Sequence, residues 1–249
     1  MWTSGERDGK PLVLVHGIRV SASMWLPHAR RIGPGYRIVA CDLPGHGALR
    51  GQRFTLRGAV DRIGAAVSFA ASGGRPVVLA GMSLGGYVSL AYAAEHPGTL
   101  GGLVLNNCTA QPRGSTVTLY RAAGRLAGWA GERWSDRVGA ALLRKALPPE
   151  SAEAVISGGL SMAGFSDSAR EIPRHDFLAM AGRLTLPLLI SNGVDDRLFR
   201  SDEDAFLAAA RAAGARAALE HLPGSHLQSL TDPDRFTDLL RRSYRELVG

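Results

Sequence analysis

The sequence predicts an α/β protein: a mostly parallel central sheet flanked by helices, with a helical lid inserted between two of its strands. Three observations carry this. Apolar runs of strand length alternate with amphipathic helical patterns along most of the chain. Most of those runs are nearly continuous in Val, Leu and Ile, as strands buried on both faces read. One stretch, residues 111–183, holds helical patterns only.

The strand signals fall at Pro11 to His16, Tyr36 to Cys41, Pro76 to Gly81, Gly102 to Asn106, Leu186 to Asn192 and Ala217 to Leu222. Between them, helical spacing covers Trp25 to Ile32, Leu56 to Ala71, Leu84 to Glu95, Asp202 to Ala213 and Asp234 to Val248, with Gly or Pro at most junctions. Strand alternating with helix implies right-handed crossovers. The interrupting stretch reads as short helices at Leu119 to Trp129, Asp136 to Leu147, Ser151 to Ile156 and Asp176 to Arg183. The division predicted is a core of residues 1–110 and 184–249 with a helical cap at 111–183, and a connection that long is more often functional than idle.

A chain of 249 residues suffices for one such core with a small cap. Its longest apolar runs, such as Pro76 to Met82, fall far short of the roughly 18 residues a spanning helix needs. The first ten residues include Glu6, Arg7, Asp8 and Lys10 without an apolar stretch, so a cytoplasmic protein with no membrane association is expected. Cys41 and Cys108 cannot build a disulfide framework and read as buried thiols; no metal-ligand spacing occurs, and neither metal nor organic cofactor is expected. The net charge is +7, but the arginines are scattered through Ala- and Gly-rich helices without a basic run, which argues against a nucleic-acid partner.

The chemistry centres on Gly81-Met82-Ser83-Leu84-Gly85-Gly86, which lies directly between a strand and a helix. A serine on so sharp a turn needs small neighbours, and the turn lifts its hydroxyl to the positive end of a helix, where an oxyanion is favoured. The same glycines fail as a phosphate loop: the dinucleotide pattern would need Gly at Ser83, and the Walker pattern Lys at Tyr87. A serine needs a base and the base an orienting acid. Downstream, Gly193-Val194-Asp195-Asp196 and Gly224-Ser225-His226 both follow strands, where α/β sheets place their sites. The order Ser, Asp, His is that of nucleophile-elbow enzymes. The adjacent carboxylates of Asp195 and Asp196 point in different directions; Asp196 is favoured. Upstream, His16-Gly17-Ile18-Arg19 follows the first strong strand, so the backbone amides of Ile18 and Leu84 are the expected oxyanion donors. His16, at a strand end before Gly17, reads as a loop hydrogen-bonder.

These pieces resemble an α/β-hydrolase-fold protein with a helical cap. The resemblance rests on His16-Gly17 followed by Trp25, on Cys41-Asp42-Leu43-Pro44-Gly45-His46-Gly47, on the turn at Ser83, on Glu95-His96-Pro97, on Gly193-x-x-Asp196, and on Gly224-Ser225-His226 followed by Asp232-Pro233-Asp234-Arg235-Phe236. It implies a hydrolase whose acid is the fourth residue of the Gly-x-x-Asp turn, Asp196. Some relatives carry the acid after the strand preceding the lid, where this chain has Asn106 and Asn107. Gly-x-Ser-Leu-Gly-Gly with Leu103 to Ala110 is similar to enol-lactone hydrolases, and more loosely to small esterases and cofactor-free perhydrolases. Two further strands usually precede His16-Gly17; ten residues supply part of one, so a shortened sheet or a cut chain is expected. The usual proline after the acid turn is replaced by Leu198-Phe199-Arg200.

The functional expectation is a serine hydrolase acting on a small carboxylic ester, lactone or thioester through an acyl-enzyme. The alternatives are an acyltransferase or cyclase using the same triad, and a non-catalytic ligand-binding protein on the same fold. Residues 1–62 hold ten bases against four acids, with Arg19, Arg50 and Arg53 on loops after strands. That excess points to a small-molecule substrate carrying negative charge. Arg19, His46 and Trp129 are the candidate substrate-binding residues.

Overall fold

The computed structural model describes residues 1–112, 122 and 132–249. Within them β1 (Trp2–Gly5), β2 (Lys10–Val15), β3 (Tyr36–Cys41), β4 (Val78–Met82), β5 (Gly102–Asn106), β6 (Leu188–Gly193) and β7 (Ala217–Leu222) form one sheet in the order β1-β3-β2-β4-β5-β6-β7. Every neighbouring pair is parallel except β1 with β3.

The continuous apolar runs have the expected cause. Val13 and Val15 of β2, Leu79 of β4, Leu103 and Leu105 of β5 and Ile190 of β6 enter the core on one face. Leu12 and Leu14, Val78 and Ala80, Val104 and Leu189 enter the core on the other. The first face is covered by α2 (Leu56–Ala71), α3 (Leu84–Glu95) and α8 (Glu203–Ala212), through residues such as Ile63, Val88 and Phe206. The second is covered by α1 (Leu26–Arg31) and α10 (Pro233–Val248), where Trp25 stacks on Phe236 with ring centroids 5.8 Å apart.

β1 has no counterpart among the strand signals of the sequence, which allowed the first ten residues only part of a strand. It pairs with β3 from Trp2 opposite Ala40 to Gly5 opposite Arg37, and as an edge strand it exposes every second residue. Four residues half in water leave no apolar run to detect.

Between β5 and β6 the described residues form α4 (Glu132–Ala146), α5 (Pro149–Ser157), α6 (Met162–Glu171) and α7 (Phe177–Ala181). The helix expected at Leu119 to Trp129 lies outside the described residues. α6 was not expected, because Gly164 and its serines are weak helix formers. It begins on a cap: the Ser161 hydroxyl accepts from the amide of Gly164. The short α9 (Gln228–Thr231) follows the β7 loop.

Candidate active site

Because the inner strands are parallel, the loops after β2, β4, β5, β6 and β7 emerge along one edge of the sheet, and the candidate residues gather there. Ser83 directly follows β4, with φ 54° and ψ −117°, a conformation that costs on the order of 1–3 kcal/mol for a residue with a side chain. Neighbouring bonds hold it: its amide donates to Asn106 O at 2.8 Å, and the Tyr87 amide donates to Ser83 O at 3.2 Å. The flanking glycines answer to contact. A Cβ on Gly85 would lie 2.3 Å from Val15 O, and one on Gly86 would lie 2.3 Å from Cys108 Sγ. The first turn of α3 therefore packs against the ends of β2 and β5, with Ser83 at its positive end.

His226, in the loop after β7, accepts from Ser83 Oγ at Nε2 over 3.0 Å and donates from Nδ1 to Asp196 Oδ2 over 2.6 Å. Asp196 is 5% exposed and its other oxygen accepts from the Phe199 amide at 3.3 Å, whereas Asp195 is exposed. The structure thus brings Ser83, His226 and Asp196 together and leaves Asp195 outside. The Phe199 ring packs against the imidazole at a tilt, 4.1 Å between centroids at 32°.

Ile18 and Leu84 line the same pocket as Ser83, and a Cβ on Gly17 would lie 3.7 Å from Ser83 Cβ, so the loop after β2 runs beside the hydroxyl. The remaining described wall is largely apolar: Tyr87, Ala169, Ile172, Pro173, Leu198 and Phe199 among others, with Gln111, Ser168 and Ser201 as polar members. No described lining residue is charged at neutral pH. His16 sits beneath as expected, buried, donating from Nδ1 to Gly17 O and accepting the Leu43 amide at Nε2.

Two of the candidate substrate-binding residues, Arg19 and His46, are absent from the described pocket wall. Arg19 turns away to donate from Nη2 to Ser135 O and Oγ on α4, at 2.8 and 2.9 Å. His46 is fully buried, packed on His16 and Phe54 and beneath Gly164 of α6. Trp129 lies outside the described residues. Arg50, on the loop after β3, donates to Gly47 O and Gly158 O.

Burial lowers the pKa of His46 to about 3 and that of His28, beneath α9, to about 4. Both fall below the unfolded value of 6.5, so the unfolded chain binds more protons in acid. The stability they supply is complete above pH 6.5 and is lost as pH falls toward the folded values. From pH 7 to 5 the unfolding free energy should drop by about 4 kcal/mol for the pair. Urea titrations at the two pH values measure it; a flat profile would show that the two rings protonate without unfolding.

The residue that sequence reasoning missed is Asn107. At φ 50° its Oδ1 accepts from the Gly193 amide at 2.8 Å and its Nδ2 donates to His226 O at 2.8 Å. It ties the acid turn to the histidine loop from the end of β5. Asn107→Ala should leave both groups unpaired, costing about 2–4 kcal/mol in a thermal or urea melt, and should lower kcat as the Asp196–His226 pair loosens. Unchanged stability would remove this role. The signal in the sequence was an asparagine at a strand's C-terminal end beside a site, a residue type that tolerates positive φ.

Among the described residues no group of three or more His, Cys, Asp or Glu could hold a metal ion, and no helix is long and apolar enough to cross a membrane.

A seven-stranded, mostly parallel sheet with a strained serine between strand and helix defines a class, and the chain belongs to the Alpha/beta hydrolase family, whose sequence model matches residues 12–239. Among individual proteins, it is 22% identical over 253 residues to (E)-2-((N-methylformamido)methylene)succinate hydrolase of Acinetobacter baylyi, covering 95% of this chain and 90% of that one. Its match to Monoacylglycerol lipase abhd6-B of Xenopus laevis, 34% over 105 residues, covers 41% of this chain and only 31% of that protein. It superposes on a thermophilic esterase from Thermogutta terrifontis with TM-score 0.76 at 25% identity, over 100% of this chain and 93% of that one. The fold is also that of the enol-lactonase from Burkholderia xenovorans LB400, with TM-score 0.75, 19% identity and 98% and 95% coverage.

Proposed function

We propose that the protein is a serine hydrolase that cleaves a small, neutral carboxylic ester, lactone or thioester through an acyl-enzyme on Ser83. The observation that carries this is the unbroken relay from Asp196 Oδ2 to His226 Nδ1, 2.6 Å, and from His226 Nε2 to Ser83 Oγ, 3.0 Å, on a strained turn facing a pocket. Ser83 Oγ attacks the carbonyl carbon as its proton passes to His226 Nε2. The oxyanion sits between the amides of Ile18 and Leu84, and Asp196 stabilises the imidazolium. Collapse breaks the bond to the leaving group, which takes the proton from His226. Water, deprotonated by His226, then releases the acid and restores the serine.

The pocket supports the substrate class. At about 120 Å³ it has space for roughly ten water-sized groups. Its described wall offers no cation, and two of the three arginines that suggested an anionic substrate, Arg19 and Arg50, are bonded elsewhere. Kinetics on a panel of aryl esters, lactones and thioesters, each with a carboxylated and an uncharged acyl member, tests the reading. Hydrolysis with the uncharged member preferred at low and high salt alike is expected. Preference for the carboxylated members at low salt would restore electrostatic steering, and turnover of none would refute the hydrolase.

A further inference from the structure

We infer that the helical segment between β5 and β6 holds the oxyanion loop in its working geometry, with Arg19 as the positioning residue. The inference rests on the proposed role of the Ile18 amide and concerns what keeps that amide in place. Arg19 has φ 70°, a left-handed conformation that a long side chain adopts only where its surroundings impose it. The contacts that grip it come from the segment. The Ser161 amide donates to Arg19 O at 2.8 Å. The guanidinium donates to both oxygens of Ser135 and lies across α4 so closely that a Cβ on Gly139 would sit 2.8 Å from Nη2. Asp136 supplies nearby opposite charge.

On its other side the loop is fixed to the core: a Cβ on Gly17 would meet Met82 Sδ at 2.8 Å. Ile18 is therefore suspended between a residue packed on the serine turn and a residue pinned to the helices. An oxyanion donor works only when it is aimed at where the charge develops, and losing one donor costs about 10²–10³ in kcat. Releasing Arg19 should misplace that donor without removing it, a smaller loss than deletion.

A second connection points the same way. Ser161 also caps α6, and Ser168 and Ala169 of α6, with Ile172 just beyond, form part of the pocket wall. An acyl group resting on that wall bears on the helix whose first turn grips Arg19, so binding energy far from the carbonyl reaches the oxyanion loop.

The test compares an alkylboronic acid with a carboxamide of the same alkyl chain. The boronic acid adds Ser83 Oγ to boron as the serine proton passes to His226, which leaves a tetrahedral anion with an oxygen in the oxyanion site; the amide stays trigonal. In Arg19→Ala the boronate Kd should rise about tenfold or more and kcat should fall 10- to 100-fold on every accepted ester, with amide affinity and KM little changed. Arg19→Lys, which can still donate to Ser135 O, should recover part of the loss. Should Arg19→Ala fold poorly, Arg19→Gly removes the tether at a φ that glycine adopts without strain. Equal weakening of both ligands, or of neither, overturns the inference. Wild-type protein that binds no boronate and cleaves no ester refutes the hydrolase reading and this inference with it. Wild-type binding that Arg19→Ala matches refutes the inference alone.

Discussion

Ser83→Ala should lose roughly 10³-fold or more in kcat on every ester the protein accepts, by analogy with triad knockouts elsewhere, while folding as before. The substitution deletes one oxygen. Its hydrogen bond to His226 is the contact that goes, and the bonds that hold the turn run through the Ser83 backbone to Asn106 and Tyr87. Alanine carries the same Cβ at φ 54°, so the strain of the turn is neither added to nor relieved. Substrate should still bind, because the pocket wall is intact. Steady-state kinetics beside a thermal melt check both halves: retained turnover would place the nucleophile elsewhere, and a collapsed melt would make Ser83 a structural residue.

Asp196→Asn should cost about 10⁴-fold in kcat, the size seen when a triad acid is made neutral with its shape kept. The carboxylate accepts at 2.6 Å from His226 Nδ1, which leaves Nε2 free to take the Ser83 proton. An amide that turns its NH₂ toward the ring selects the other tautomer, and Nε2 then carries a hydrogen where it must accept one. Asp195→Asn is the control. Asp195 is exposed and its side chain stands outside the relay, so its activity should stay within a few-fold of wild type. Reversal of the two results would reassign the acid.

Much of this was legible in the sequence for a physical reason. Strands buried on both faces leave continuous apolar runs, and the small residues around Ser83 are demanded by contacts such as Gly85 with Val15 O. The chain order Ser, Asp, His and the Gly-x-x-Asp turn then left little choice among candidates. What could not be read lies in the direction a side chain takes. Arg19 directly follows Ile18, and on charge alone it looked like an anion guide; only the position of Ser135, more than a hundred residues on, shows where it points. His46 borders the site in sequence but is sealed under Gly164. Asn107 and Phe199 act through non-local partners, the His226 carbonyl and ring, which no local pattern encodes.

The most direct test of the central claim is labelling with an alkyl fluorophosphonate, read by mass spectrometry of the intact protein and its peptides. Ser83 Oγ attacks phosphorus and fluoride leaves, a reaction that an unactivated serine does not undergo at a useful rate. A single adduct on the peptide carrying Ser83, formed by wild type and abolished in His226→Ala, is the predicted result. Labelling of wild type and His226→Ala at equal rates, or an adduct on another residue, would contradict it.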